Sequence, residues 1–327
     1  MTTEKREITA KLIVDELQAG WSENSALSEH SARLLIGAKT DLGCVRENNE
    51  DKFEFFVPSD PVTLAIKGEV VAVADGMGGH AAGQIASELA LKTFIKTYFA
   101  GSSADVEACL RASVREANAV VHATSNIPGR SGMGTTLTVA VVRGKELYVA
   151  QVGDSRLYFC HNGRLEQLTE DHSWVAEQVK MGAMSELDAE SSPFRNVITR
   201  SMGNQPEVEP DITRRDIEEG DTLLLCSDGL SGVVGIGEME RALTENGPAE
   251  CCQQLVQMAL DRGGPDNVTI LVARVNAIEP LNLDLASIEK SKGGNQAMRD
   301  DSNTGAELSQ TVEAPKKKGF LAKLIGE

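Results

Sequence analysis

The run Glu69-Val70-Val71-Ala72-Val73-Ala74 constrains this chain most, because it is apolar, rich in valine, and stops at Asp75-Gly76. Such a run reads as a buried strand that delivers a carboxylate to its own end. The glycines that follow, Gly76, Gly78 and Gly79, remove Cβ atoms and let backbone amides and carbonyls approach a ligand closely. Residues 80–98 then read as a helix. Taken alone, the pattern is equally that of a strand ending in a turn, since Asp and Gly are favoured there.

The same setting recurs along the chain. Asn49-Glu50-Asp51 precedes a predicted strand at 53–57, and Gly153-Asp154-Ser155 ends one at 146–152. Ser227-Asp228-Gly229 ends a strand at 221–226, and Asp266-Asn267 opens the last, at 268–275. Carboxylates placed at strand ends can meet at one edge of a sheet sandwich, and acids that close resist joint ionisation without a cation. An all-oxygen set with no supporting His or Cys pattern points to a hard cation, Mg²⁺ or Mn²⁺. Two such ions about 3.5–4 Å apart suit phosphoester hydrolysis, making hydroxide from a shared water and neutralising the leaving oxygen. Arg46, five residues before Asp51, is the candidate to hold phosphate oxygens in bidentate fashion. The competing reading of Arg46 is a solvated surface side chain.

Composition narrows the classes. At 327 residues the chain holds one large domain or two ordinary ones, and an apolar share of 41% supports a real core. Aromatics are only 4%, so Val, Ile, Leu and Ala must fill that core. The net charge of −17 argues against a nucleic-acid surface. Six cysteines without C-x-x-C pairs fit reduced, mostly buried thiols and a cytoplasmic location. No apolar run is long enough for a transmembrane segment, and no signal peptide is evident.

Periodicity gives the order of elements. Strands are predicted at 34–40, 53–57, 69–74, 135–142, 146–152, 156–160, 165–168, 207–213, 221–226 and 268–275. Helices are predicted at 82–99, 103–124, 238–245 and 249–262. Residues 58–61 read as a turn, and Asn162-Gly163 as a hairpin turn. Residues 171–203, with short helical stretches and no strong strand, look like an insertion or lid. Strands in hairpin order with grouped helices make an α+β pattern, antiparallel sheets with helices on their outer faces. The expected organisation is an extension at 1–32, one domain at 33–276, and a disordered tail at 277–327.

In this order the motifs resemble those of the metal-dependent protein phosphatase family, protein phosphatase 2C, in its bacterial form. They are Thr40-Asp41-x-Gly43-x-x-Arg46-x-x-Asn49-Glu50-Asp51, Val73-Ala74-Asp75-Gly76-Met77-Gly78-Gly79-His80 and Gly132-Met133-Gly134-Thr135-Thr136. The set continues with Val152-Gly153-Asp154-Ser155-Arg156, Ser227-Asp228-Gly229-Leu230 and Asp266-Asn267-Val268-Thr269. The resemblance covers residues 33–275. It implies a central sandwich of two antiparallel β-sheets flanked by α-helices on both outer faces, a four-layer αββα architecture. It also implies Mn²⁺ or Mg²⁺, two ions per domain, with Asp75 bridging them and the Gly76 carbonyl on the second. Asp228 and Asp266 would bind the first ion, Glu50 and Asp51 the second, and Arg46 the substrate phosphate. Thr135, Thr136 and Asn267 read as residues that orient the ligands. The 171–203 segment resembles the bacterial flap beside the active site.

Two positions depart from the family pattern. Met77 stands where eukaryotic members carry a His proposed as general acid, which leaves protonation of the leaving oxygen to a metal-bound water. His80 is not at the matching position. Gly232 stands where many bacterial members have an acid that helps bind a third metal. Asp154 is retained, which keeps a weaker third site open.

The resulting expectation is a serine/threonine phosphoprotein phosphatase that hydrolyses phosphoserine and phosphothreonine through a metal-bridging hydroxide and reverses a bacterial kinase. Its partners would be phosphoprotein substrates and that kinase. A non-catalytic phosphoprotein-binding module and a hydrolase of small phosphoesters are the alternatives. No Cys lies in a C-x5-R loop, which disfavours cysteine-based chemistry. The basic-amphipathic C-terminal end, Lys316 to Ile325, suits docking to a partner groove or an anionic membrane surface, with plain disorder as the rival.

Overall fold

The computed structural model describes residues 28–79 and 81–281. The expectations for the N-terminal extension up to residue 27, for His80 and for the C-terminal end lie outside the described residues.

Two five-stranded antiparallel sheets form the centre. One has the order β1-β12-β11-β8-β9 and the other β10-β7-β6-β3-β2. The first comprises β1 (His30–Asp41), β8 (Arg156–His161), β9 (Arg164–Gln167), β11 (Thr222–Cys226) and β12 (Val268–Pro280). The second comprises β2 (Lys52–Phe56), β3 (Glu69–Ala74), β6 (Leu137–Arg143), β7 (Glu146–Val152) and β10 (Asp211–Asp216). A two-residue ribbon, β4 (Gly76–Met77) with β5 (Gly134–Thr135), continues from the end of β3. The expected αββα sandwich is the observed one.

Three cores account for the layering. Between the sheets, Val71, Val73, Ala140, Val149, Leu157, Leu223, Leu225, Leu271 and Ala273 interdigitate. Alternate residues of the same strands, Val70, Ala72, Ala74, Val139 and Val141, face α2 (Ala81–Ala100) and α3 (Val106–Ser125). On the opposite side Leu224, Cys226, Ile270 and Val272 pack on α7 (Ile236–Glu245) and α8 (Pro248–Asp261). Every residue of β3 is buried because both of its faces are covered. That is why the run carries no polar alternation.

Three expected boundaries are corrected. The turn at 58–61 is the entry to a helix, α1 (Pro61–Lys67): Asp60 caps it by accepting from the Thr63 amide at 2.8 Å, and Pro61 sits in the first turn. The strand expected at 207–213 is displaced to Asp211–Asp216, after Pro206 and Pro210, neither of which can donate to a ladder. β1 and β12 also run past the strands expected at 34–40 and 268–275, because His30–Arg33 pair with Ala277–Pro280 and satisfy both backbones. Residues 171–203 carry two short helices, α4 (Trp174–Lys180) and α5 (Glu186–Ser191), and no strand of either sheet. The one-turn helix α6 (Asp228–Ser231) follows β11.

Candidate metal centre

Antiparallel sheets stacked face to face bring strand ends from distant parts of the chain to one edge. Asp75 leaves β3 there, Asp51 enters β2, Asp154 follows β7, Asp228 follows β11 and Asp266 precedes β12. Asp75 is buried close enough to Asp51 and Asp228 to feel both charges. Burial pushes its carboxyl well above the usual range, and the charges of Asp51, Asp228, Asp154 and Asp266 push it further. Burial likewise raises Asp51 to about 6 and, with Asp228 and Asp171 nearby, Asp154 to about 7. The acid cluster therefore resists full ionisation on its own.

Backbone and hydroxyl contacts hold these acids in place. Thr136 Oγ1 accepts from the Asp75 amide at 2.8 Å, and Thr135 Oγ1 donates to the Asp75 carbonyl at 2.9 Å. Asn267 Oδ1 accepts from the Glu50 amide at 2.8 Å, while its Nδ2 donates to the carbonyls of Leu42 and Asn48. Ser87 Oγ donates to the Glu50 carbonyl at 2.6 Å. Gly76 and Gly83 are required by close approach. A Cβ on Gly76 would meet the Gly83 carbonyl oxygen at 2.2 Å, and one on Gly83 would meet Glu50 Oε2 at 1.8 Å. The helix α2 thus reaches the acids only because two side chains are absent.

The donor set fits hard divalent cations. Asp51 Oδ1 and Asp228 Oδ1 are buried without a hydrogen-bond partner among the described residues, a costly state that a cation would relieve. Among the described residues no three His, Cys, Asp or Glu side chains close a cage on one point. Mg²⁺ and Mn²⁺ do not need one, since Mg²⁺ in particular keeps several waters and takes one or two carboxylates. Arg46 stands at the rim, about half exposed, with Nη2 donating to Asp266 Oδ2 at 2.7 Å. Its second edge remains available to an oxyanion. Met77 pairs with Gly134 beside this edge and offers no proton. Gly232 caps α6 and brings no carboxylate of its own.

Two groups escape sequence reasoning. Ser227 Oγ donates to Asp51 Oδ2 at 2.7 Å, although the residue stood in a recognised motif. His172 contacts the Gly153 amide at 3.0 Å, and only its place just before a helix cap hinted at order.

Comparison with known proteins identifies the family. Residues 44–178 match the family model "Protein phosphatase 2C". The chain is 39% identical over 243 residues to the serine/threonine protein phosphatase PstP of Mycobacterium tuberculosis, an alignment spanning 74% of this chain but 45% of that protein. It is 37% identical over 248 residues to the serine/threonine phosphatase stp of Listeria innocua, covering 74% of this chain and 96% of the relative. Among solved structures, the catalytic domain of PstP in complex with two manganese ions matches with a TM-score of 0.65 and 37% identity, over 75% of this chain and 99% of that one. Stp1 of Staphylococcus aureus matches with a TM-score of 0.70 and 33% identity, over 78% and 100%. With the sandwich, the acid cluster at its edge and these likenesses in agreement, the chain belongs to the protein phosphatase 2C family in its bacterial form.

Proposed function

We propose that this protein hydrolyses phosphoserine and phosphothreonine in phosphoproteins, and that it opposes a serine/threonine kinase in the cytoplasm. The single observation that carries the reading is the buried Asp75 carboxyl beside the charges of Asp51 and Asp228, each of which has a buried oxygen without a hydrogen-bond partner among the described residues. In this reading Asp75, Asp228 and Asp266 would hold one cation, and Asp75, Glu50, Asp51 and the Gly76 carbonyl the other. When bound, Mn²⁺ or Mg²⁺ would supply a nucleophilic hydroxide at neutral pH and offset charge on the leaving oxygen. Asp154 is the candidate for a third, weaker site, since Gly232 adds no acid there.

The chain's own residues do the rest. Arg46 receives the phosphate oxygens through its free edge and orients the ester, while Asp266 holds the other edge. Thr135, Thr136 and Asn267 fix the Asp75 and Glu50 backbones, so the acids need not reorganise when charge develops. No thiol enters the chemistry. Five of the six cysteines are buried and Cys44 is exposed, all unpaired, which supports a reducing compartment. Hydrolysis of a phosphothreonine peptide with Mn²⁺, with and without chelator, tests the proposal. Activity is expected only without chelator and only with Asp75 intact. Turnover that survives chelation, or an Asp75→Asn chain as fast as wild type, would sink it.

A further inference from the structure

At the base of the 171–203 segment the outgoing and returning chains lie side by side. Ser173 and Ile198 form an isolated bridge, and the Thr199 amide donates to the His172 carbonyl at 2.8 Å. From the outgoing foot, the His172 ring, 6% exposed, places Nε2 3.1 Å from Asp211 Oδ2. From the returning foot, Arg200 donates Nη1 to Asp211 Oδ1 at 2.5 Å. One carboxylate at the start of β10 therefore holds both feet.

The other ring nitrogen of His172 faces the turn that carries Asp154. The Gly153 amide lies 3.0 Å from Nδ1, and the His172 amide donates to the Gly153 carbonyl at 3.0 Å. A backbone amide can only donate, so Nδ1 is the acceptor and the proton resides on Nε2, where Asp211 accepts it. The turn is pinned from its other side too. Gly153 has φ +105°, and a Cβ there would meet Thr136 Cγ2 at 2.5 Å. Beyond Asp154, Arg156 donates to both oxygens of Asp171, the residue before His172.

We propose that His172 is a positioning residue: locked in one tautomer by Asp211, it accepts the Gly153 amide proton, fixes the turn that presents Asp154 to the cation cluster, and couples that turn to both feet of the 171–203 segment. This rests on the reading of Asp154 as part of the cluster. His172 touches no reacting atom. It acts through Gly153 and Asp154.

The test uses the full chain, Mn²⁺ alone as probe, calorimetric titration, and amide exchange at Gly153. His172→Ala and the less buried Asp211→Ala are expected to weaken Mn²⁺ binding at the weakest site roughly tenfold, and to speed Gly153 exchange. His172→Asn, whose side-chain oxygen can replace Nδ1 as acceptor, should restore Gly153 protection while Asp211 Oδ2 loses its Nε2 donor and Oδ1 keeps Arg200. In an Asp154→Ala background, His172→Ala should cost no further Mn²⁺ affinity. A His172→Ala chain that melts earlier but keeps wild-type Mn²⁺ binding and Gly153 exchange would overturn the proposal, as would additive losses in the double variant. An Asp154→Ala chain with wild-type binding would instead overturn the assignment of Asp154, whatever Gly153 does.

Discussion

Ser227 Oγ donates to Asp51 Oδ2 at 2.7 Å across 176 positions of sequence, while Oδ1 of the same carboxylate has no partner among the described residues. The Thr269 amide donates to that hydroxyl at 3.0 Å, which leaves its proton to Asp51. One oxygen of Asp51 is thus aimed by the fold, and the proposed function gives the other to a cation. Ser227→Ala is expected to weaken Mn²⁺ binding roughly tenfold. It should lower stability by about 1–2 kcal/mol. Calorimetric titration and a thermal melt measure the two effects separately.

Asp75 sets stability without metal against function with it. Its carboxyl pKa is raised, so its stabilising contribution is complete below the ordinary carboxylate range and is lost as pH rises through the folded value. In chelator at pH 8, Asp75→Asn is therefore expected to melt above wild type. In Mn²⁺ the order reverses, because wild type gains about 2.7 kcal/mol at a hundredfold excess over Kd. A variant that melts lower under both conditions would contradict the like-charge account.

Cation binding should release protons. Asp51 near 6 and Asp154 near 7 hold protons at mildly acid pH that a divalent ion must displace. Mn²⁺ affinity is expected to rise from pH 5 to pH 8, and proton release to fade above pH 8. Titrations in two buffers of different ionisation enthalpy count the protons directly. A pH-independent affinity would refute this.

Glu69 is an independent pH-sensitive group at the other end of β3. It is 5% exposed, its Oε2 has no partner among the described residues, and burial pushes its pKa up to about 7. Its stabilising contribution is full below the ordinary glutamate value and disappears as pH climbs through 7. Glu69→Gln should match wild type at pH 4 and exceed it at pH 8 by up to about 3 kcal/mol, at 1.36 kcal/mol per pH unit. Denaturant midpoints at the two pH values decide it, with activity retained.

Arg46 should separate binding from stability. Its ion pair with Asp266 is largely exposed, so Arg46→Ala should change stability by less than about 1 kcal/mol. Loss of charged hydrogen bonds to phosphate should lower kcat/KM roughly 10- to 100-fold. Arg46→Lys should fall between, since it keeps the charge and loses the fork.

The local content of the chain was readable residue by residue. The strand period of 69–74, the Asp-Gly and Asn-Gly turns, and five acidic turns at strand ends announced an α+β sandwich with acids along one edge. Those signals are short-range, set by propensity and by what each backbone conformation tolerates. The signal for α1 was present in Asp60-Pro61 as well, and the prolines at 206 and 210 marked where β10 could not begin. What the sequence could not decide is which distant groups meet. Ser227 on Asp51, Asn267 on the Glu50 amide, and His172 between Gly153 and Asp211 join residues up to 217 positions apart. Their encounter depends on the stacking of two sheets and the stagger of their strands, which no local pattern encodes. The acids were written in the sequence, and the packing of the sheets made them a site.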